Sequence, residues 1–212
     1  MFDHLETHFE QPIVVASPVG RRWLKRSFDV SVALGLLLPM LLTALVLWVL
    51  NPFLNPGPVF FRQDRMGKRC RKFVAWKFRT MRVVPNKCRG AFDPLEAGCV
   101  SRFAGWMRKI RLDELPQILN VLRGEMSMIG PRPDEYTHAC VYLRQIPGYA
   151  DRHAVRPGIS GLAQTEVGYV ETRADVQRKV AADLHYIANW SLRMDLWIVW
   201  RTVQVICGLQ GR

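Results

Sequence analysis

Two adjacent carboxylates lie within a basic stretch of the chain. Asp113 and Glu114 follow Arg108 and Arg111. Acidic residues favour the first turn of any helix, where free amide groups and the dipole attract negative charge, so a structural role alone could explain the pair. Among bases, both carboxylates should be ionised at neutral pH, and an ionised pair suits Mg²⁺, which prefers oxygen ligands. An aspartate can also attack phosphorus and form an acyl phosphate, which splits a phosphoryl transfer into two steps.

Several basic residues lie in conformationally restricted settings. Arg132 lies between two prolines, and Arg156 precedes Pro157. Proline restricts the chain before a ligand arrives, so less entropy is lost when the guanidinium is fixed, and the planar fork of arginine matches phosphate oxygens. Taken singly, each arginine is better explained by a surface salt bridge. Together they predict a site for more than one phosphate, formed by Lys77, Arg79, Arg108, Arg132 and Arg156.

Composition limits the possible partners. The chain has 212 residues, of which 49% are hydrophobic and 23% charged, and this excludes global disorder. Its formal net charge of +12 predicts an acidic partner: nucleic acid, an anionic membrane surface or phosphorylated small molecules. The five cysteines are scattered without a CxxC pair. This argues against a disulfide framework or a zinc site and predicts reduced thiols in the cytoplasm.

One apolar segment favours the membrane among these partners. Residues 30–50 contain no charged side chain, and about 20 residues are enough to cross the hydrocarbon core. A secretory signal fits poorly, because its apolar region is usually about 7–15 residues long and a cleavage site follows it. A buried helix of a soluble protein remains an alternative. The segment predicts a membrane helix over residues 21–55.

The charges around this segment predict its course. Basic residues flank it on both sides, and positive charge near membrane segments marks the cytoplasmic side. A simple span would therefore place one cluster on the wrong side. Pro39 interrupts the apolar run, and an internal proline bends a helix. We expect a re-entrant helix that turns at Pro39 and returns to the same face, with a straight span as the alternative.

The remaining residues predict an α+β fold, mostly helical with a small β-hairpin. Aromatic and β-branched runs at 59–63 and 72–79 predict the hairpin, joined across Met66 to Lys68. An apolar face from Leu115 to Leu122 predicts a helix that Gly124 ends. Further helices are expected over 102–110, 136–145 and 173–190, a surface loop over 83–100, and a turn over 156–161.

Three regions follow from these patterns. Residues 1–20 are expected to form a loosely ordered leader, 21–55 the membrane helix, and 56–212 a cytoplasmic catalytic domain that lies on the membrane surface. Residues 192–205 mix tryptophans with arginines, which is typical of an amphipathic helix lying on a headgroup layer. Packing of that helix against the domain's own core is an equal alternative.

Seven sequence blocks in order give a resemblance to a known family. They are KRSFD (25–29), PGPVFFRQ (56–63), KFRTM (77–81), LDELPQ (112–117), MSMIGPRP (126–133), RPGISGLAQ (156–164) and DLHYIANWSLRMDL (183–196). Any one block is weak evidence. Together they resemble bacterial sugar transferases of the monotopic polyprenyl-phosphate phosphoglycosyl transferase type, in particular the small members that contain only the catalytic core.

The resemblance implies a reaction, its site and its partners. A phospho-sugar would move from a UDP-sugar to a polyprenyl phosphate, typically undecaprenyl phosphate, and UMP would be released. Asp113 matches the family's nucleophile, Glu114 the residue that supports the site and its Mg²⁺, and Arg108 and Arg132 the arginines that hold phosphate. Pro39 matches the family's re-entrant break. Membrane phospholipid is an expected partner, a homodimer is compatible, and nucleic acid is not expected.

The resemblance also implies a location and leaves three departures. The expected place is the cytoplasmic face of the bacterial inner membrane. Leu38-Pro39 replaces the usual Ser-Pro, Ala97-Gly98-Cys99 replaces an Asp-Pro-Arg stretch, and Thr165-Glu166-Val167 replaces Val-Asn-Gly. Two rival functions stay open: a non-catalytic membrane-tethered protein that binds nucleic acid or anionic lipid, and a phosphotransferase without a covalent intermediate.

Overall fold

The computed structural model describes residues 19–80, 102–166 and 172–208. The loop expected over 83–100 and most of the expected leader lie outside these ranges. The fold is α+β and mostly helical, as predicted. Its helices are α1 (Val19–Gly35), α2 (Leu37–Leu54), α3 (Arg102–Lys109), α4 (Ile118–Arg123), α5 (Tyr136–Gln145), α6 (Leu162–Glu166), α7 (Arg173–Ala188) and α8 (Leu192–Ile206), and its strands are β1 (Phe60–Met66), β2 (Lys72–Phe78), β3 (Ser127–Ile129) and β4 (Gly158–Ser160).

Helices α1 and α2 are nearly continuous. They are separated by Leu36, whose backbone stays right-handed at φ −83° and ψ −5°. Hydrogen bonds from Leu36 N to Val32 O and from Met40 N to Leu36 O, both 3.0 Å, preserve the helical pattern. The interruption lies at Leu36, three residues before Pro39. Pro39 accounts for this offset, because a proline ring in a helix clashes with the carbonyl of the residue four positions earlier, here Gly35.

This helical stretch is apolar and mostly exposed. Residues Arg22–Leu54 are long and apolar enough to cross a membrane, with a mean hydropathy of 2.5 over the most apolar window, of which 17% is buried. A core helix of a soluble protein would instead be mostly buried. The membrane location, the re-entrant course and the alternative straight span stay predictions.

Buried charges join α1 to the rest of the chain. Lys25 lies 3.1 Å from Asp29 on its own helix and 2.8 Å from Asp195 on α8. Asp29 also accepts hydrogen bonds from Ser127 Oγ at 2.8 Å and from Met128 N at 3.0 Å. Because both aspartates are almost fully buried, helix α1 is fixed to β3 and α8 by polar contacts that exclude water.

The predicted hairpin is confirmed, with a longer first strand than expected. β1 pairs antiparallel with β2, and Gln63 lies opposite Ala75. The fully buried side chain of Asn120 on α4 fixes β2: its Oδ1 accepts from Trp76 N at 3.1 Å, and its Nδ2 donates to Val74 O at 2.7 Å. Since alternate strand residues share a face, Ala75 and Lys77 point the same way.

The turn expected over 156–161 is wrong in part, since β4 lies within it. β4 pairs in parallel with β3, and Ser127 lies opposite Gly158. The two backbones approach very closely: a Cβ atom on Gly158 would lie 2.1 Å from Gly130 N. Only glycine permits this approach, so the glycines that suggested a turn serve a short parallel pair.

Helices α5, α7 and α8 enclose the larger apolar core, and their predicted positions are confirmed to within a few residues. Side chains such as Tyr149, Val176 and Ile198 are fully buried there. On α8, Asp195 and Ile198 face inward while Trp197 and Trp200 are exposed. The helix is therefore amphipathic, and one face does pack on the core. Contact of its exposed face with headgroups stays a prediction.

We expect Asp195→Asn to lower the free energy of unfolding by about 3 kcal/mol, the scale for removing one partner of a buried ion pair. Asp195 also accepts hydrogen bonds from Tyr186 Oη at 2.7 Å and from Trp190 Nε1 at 3.1 Å, so several donors would lose a charged acceptor. Denaturant titration of the detergent-solubilised protein measures the effect. The control is Asp64→Asn, which removes the exposed pair with Lys72. Equal losses in the two variants would contradict a special role for Asp195.

Candidate active site

The acid pair lies in a turn of 3₁₀ helix that leads into α4. This turn covers Leu112–Gln117, and Arg111 reverses the chain before it with a left-handed backbone at φ 57°. Asp113 and Glu114 occupy its first turn, as predicted, and only 8% and 6% of their surfaces are exposed. The pair is thus a buried feature of the fold rather than a solvated helix end.

Glu114 is fixed by a bidentate ion pair with Arg132. Arg132 Nη1 donates to Glu114 Oε2 at 2.9 Å, and Arg132 Nη2 donates to Oε1. Lys77 Nζ lies 3.5 Å from Oε1, and Arg111 Nη1 lies 3.6 Å from Oε2. Both carboxylate oxygens are therefore engaged, and three cations from separate parts of the chain converge on one acid.

Two opposing effects set the pKa values of Glu114 and Arg132. Burial alone would raise the pKa of Glu114, but the Arg132 guanidinium and then Lys77 outweigh it and hold that pKa well below its usual range. Burial likewise favours a lower pKa for Arg132, and Glu114 outweighs it and raises the value. Both groups are charged at neutral pH, as the sequence predicted for Glu114.

Asp113 has a different environment from its neighbour. Within the described ranges, no hydrogen-bond donor or basic group lies within bonding distance of its carboxylate. Burial and then the charge of Glu114 raise the pKa of Asp113, while Lys77, Arg108 and Arg132 oppose the rise. The two carboxylates are therefore unequal: Glu114 is neutralised by contacts, and Asp113 is the more basic and the less occupied.

Lys77 lies on β2 facing the acid pair. Burial lowers the pKa of its ammonium group from 10.5 to about 8, Glu114 opposes the shift, and Arg132 and Arg65 add to it. The predicted phosphate-binding residues Lys77 and Arg132 are thus brought together at the acid pair. Arg108, in the last turn of α3, is close enough to act electrostatically on Asp113.

The structure does not bring the other two predicted arginines to this position. Arg79 is buried, and its Nη2 donates to Asn55 O at 2.6 Å and to Pro56 O, so its described contacts hold the chain that follows α2. Arg156 is exposed, and its Nε donates to Gly124 O at 2.7 Å. Phosphate binding by Arg79 and Arg156 at the acid pair therefore has no support from their described contacts.

A second layer of buried charge supports Arg132. Arg152 is almost fully buried, and its Nη2 donates to Arg132 O at 2.7 Å, while Nε donates to Asp183 at 2.8 Å and Nη1 to Asp134 at 2.6 Å. Lys179 pairs with Asp134 as well. These residues fix the backbone from which the Arg132 guanidinium reaches Glu114.

Sequence reasoning did not identify this supporting layer. It also missed Arg65, whose Nη1 donates to Pro133 O at 2.8 Å and whose pKa is lowered by burial and then by Arg132. A small cleft beside the acid pair is lined by Arg65, Lys77, Gln117 and Arg132. Two features of the sequence could have indicated the supporting layer: Asp134, directly after the Pro-Arg-Pro sequence, and Asp183, in the last sequence block.

The donor set fits Mg²⁺ at one carboxylate. The described part of the chain has no group of three or more His, Cys, Asp or Glu side chains placed to hold a metal. Mg²⁺ commonly uses one or two carboxylates and completes its shell with water and substrate phosphates. Asp113 fits that role as it stands, whereas Glu114 could join only if Arg132 released one of its oxygens.

The chain is similar to known bacterial proteins over most of its length. The bacterial sugar transferase family model matches residues 20–208. A UDP-N-acetylgalactosamine-undecaprenyl-phosphate N-acetylgalactosaminephosphotransferase from Aeromonas hydrophila is 40% identical over 207 residues, which cover 96% of this chain and 48% of the relative. A UDP-glucose:undecaprenyl-phosphate glucose-1-phosphate transferase from Caulobacter vibrioides is 42% identical over 184 residues, 84% of this chain and 68% of the relative.

A shorter relative is matched over nearly its whole length. The exopolysaccharide production protein PSS from Rhizobium leguminosarum bv. phaseoli is 37% identical over 190 residues, which cover 85% of this chain and 93% of that protein. The chain spans about half the length of the Aeromonas relative. On the family match and these identities, the chain belongs to the bacterial sugar transferase family.

Proposed function

We propose that this chain transfers a sugar 1-phosphate from a UDP-sugar to a polyprenyl phosphate such as undecaprenyl phosphate, and releases UMP. The observation that carries the proposal is the inequality of the acid pair: Glu114 is held by Arg132, while Asp113 is left without a described partner among cations. The names of the relatives, which include UDP-sugar and undecaprenyl-phosphate transferases, support the choice of donor and acceptor.

In the first proposed step, an Asp113 carboxylate oxygen attacks the phosphorus that bears the sugar. A bond forms between that oxygen and phosphorus, and the bond from this phosphorus to the oxygen of UMP breaks, so UMP leaves with the electron pair. The raised pKa of Asp113 favours attack, because a more basic carboxylate is the better nucleophile. Lys77, Arg108 and Arg132 would neutralise charge on the phosphate oxygens.

In the second proposed step, an oxygen of the polyprenyl phosphate attacks the same phosphorus. The new diphosphate bond forms as the bond to Asp113 breaks, which returns the carboxylate. Glu114 acts as the fixed anion that keeps Arg132 and Lys77 in place between the two steps. Mg²⁺ bound by substrate phosphates and by the Asp113 oxygen that does not attack would supply further neutralisation of phosphate charge.

The proposed location is the cytoplasmic face of the bacterial inner membrane. Exposed apolar side chains cover α2, and α8 exposes Trp197 and Trp200 beside its buried face. A phosphate acceptor on a lipid chain requires an active site near the headgroups. The re-entrant course of α1 and α2 would hold residues 56–208 against that surface, as the charges on both sides of the apolar run suggest.

Two other functions make different predictions. A phosphotransferase in which the acceptor attacks directly would use the same cations but form no enzyme intermediate. A non-catalytic polyanion-binding protein explains the net charge of +12. It gives no reason for a buried carboxylate in a basic cluster that has no hydrogen-bond or ion-pair partner among the described residues.

We expect Asp113→Asn to abolish UMP release and the covalent intermediate while the protein stays folded, because an amide oxygen is a poor nucleophile. The protein is incubated with UDP-glucose or UDP-N-acetylgalactosamine without acceptor, and the peptide that contains residue 113 is weighed by mass spectrometry. The control, Asp64→Asn, should retain the sugar-phosphate adduct. Turnover without an adduct on residue 113 would favour direct attack by the acceptor.

We expect kcat/KM for the UDP-sugar to fall as the pH rises through about 8. Lys77 has its pKa lowered to about 8 in the folded protein, so above that pH its ammonium group loses the charge that faces Glu114 and the substrate phosphates. Lys77→Arg should extend activity to higher pH, because a guanidinium stays protonated.

The matched control for this pH profile is Lys72→Arg on the same strand. Lys72 is exposed, and its hydrogen bond to Asp64 raises its pKa, so it does not titrate near 8. Its profile should follow that of the unsubstituted protein. If kcat/KM of the Lys77→Arg variant falls above about pH 8 as it does in the unsubstituted protein, the loss of activity is assigned to another group.

The re-entrant course is tested by labelling single cysteines in a cysteine-free background. Trp23→Cys and Pro56→Cys place exposed thiols before and after the uncharged run of residues 30–50. In inverted and right-side-out vesicles, an impermeant maleimide should label both positions only from the cytoplasmic side. Labelling from opposite sides would replace the re-entrant helix with a straight span.

A further inference from the structure

A second cavity lies away from the acid pair, at the base of helix α1. Its volume is about 200 Å³, and it is bounded by α1, by β3, by the segment 154–156 and by the end of α7. Neither Asp113 nor Glu114 lines it. Besides Lys25, which pairs with Asp29, three cations line it: Arg22, Lys68 and Arg156.

These three cations lack acidic partners. In the parts of the chain that the structure describes, no carboxylate lies within 4.0 Å of any of them. Lys68 has its pKa lowered by partial burial and then by the nearby charges of Arg156, Arg69 and Arg22. The cations therefore repel one another across the cavity, and an anion between them would relieve that repulsion.

The one carboxylate on the cavity wall does not supply the missing charge. Asp29 is occupied by Lys25 at 3.1 Å, by Ser127 Oγ at 2.8 Å and by Met128 N at 3.0 Å. Lys25 in turn contacts Asp195 at 2.8 Å. Among the residues that line the cavity, Lys25 balances Asp29, so the net positive charge of the lining comes from Arg22, Lys68 and Arg156.

The other wall of the cavity is apolar. Val155, Ile187 and Trp190 line it. On α1 the last charged residue before the uncharged run of 30–50 is Asp29, which also lines the cavity. The cavity thus lies where the helix changes from charged to apolar. Such a site suits a compact anion attached to an apolar chain.

We propose that this cavity is a second phosphate-binding site, separate from the acid pair, in which Arg22, Lys68 and Arg156 bind the phosphate group of a membrane lipid or a free phosphate. Arginine and lysine side chains converging on a pocket are the usual means of binding phosphate. The predicted role of Arg156 as a phosphate ligand is thereby kept but moved to this cavity. A phosphate here would tie α1 to the segment 154–156 by charge.

The test uses two double variants that remove the same charge. Arg22→Ala/Lys68→Ala removes two cavity cations, and Lys72→Ala/Arg178→Ala removes two exposed cations that have carboxylate partners elsewhere. Binding of inorganic phosphate is measured by calorimetry in neutral detergent. Binding of a short-chain phosphatidylglycerol is measured in parallel, with the matching diacylglycerol, which lacks phosphate, as the reference lipid.

All proteins in this test have the Asp113→Asn substitution, so the result does not depend on the proposed transfer reaction. We expect the cavity variant to bind at least tenfold more weakly than the control variant. If the protein binds phosphatidylglycerol but not inorganic phosphate, the site is assigned to a lipid. If it binds inorganic phosphate but not phosphatidylglycerol, the site is assigned to free phosphate. Equal binding by the two double variants, or no binding by either, would overturn the proposal.

Discussion

The ion pairs among Lys25, Asp29 and Asp195 are the constraint on which the rest of the structure depends. Apolar contacts of Ala33, Met40 and Leu47 also join the helices α1 and α2 to the domain. Buried charges add a stricter requirement, because the loss of one partner of a buried ion pair destabilises a protein by about 3–5 kcal/mol. Asp29 therefore fixes α1 to β3, and Asp195 fixes it to α8. β3 leads directly into the segment that contains Arg132. The contacts of Asp29 thus link the position of the apolar helix to the strand that precedes the site arginine.

The same principle operates at the acid pair, where buried acids are used to hold cations. Asp134 and Asp183 fix Arg152, Arg152 fixes the backbone of Arg132, and Glu114 fixes its guanidinium. The desolvation of each charge is compensated by a nearby partner, so the chain is pre-organised before substrate binds. Asp113 is the exception among these residues of the site, and its isolation suits the nucleophile that we propose, because a carboxylate already engaged by an arginine is a weaker base.

Local patterns predicted the elements, and long-range contacts decided the partners. The hairpin follows from aromatic and β-branched runs, and the acid-pair turn from the acids and the proline after them, which act within a few residues. The bounds of α5 were likewise predicted from its own residues. Arg132 and Arg156 looked alike in sequence, since each adjoins proline. They diverge because the close pairing of β3 with β4, which Gly130 and Gly158 permit, sends one side chain to Glu114 and leaves the other near Gly124. Arg79 was likewise predicted to bind phosphate, and only the packed chain reveals that its Nη2 donates to Asn55 O and Pro56 O.

The short sheet also relates the acid pair to the second cavity. Ser127 and Ile129 of β3 line that cavity, while Arg132 Nη1 donates to Ile159 O of β4 at 3.2 Å. The two places therefore share one small element whose strands approach too closely to slide past each other. A group bound among Arg22, Lys68 and Arg156 would hold α1 to this sheet from one side, and Glu114 holds Arg132 to it from the other. Cations therefore lie on both sides of this sheet: Arg22, Lys68 and Arg156 at the cavity, and Lys77 and Arg132 at the acid pair.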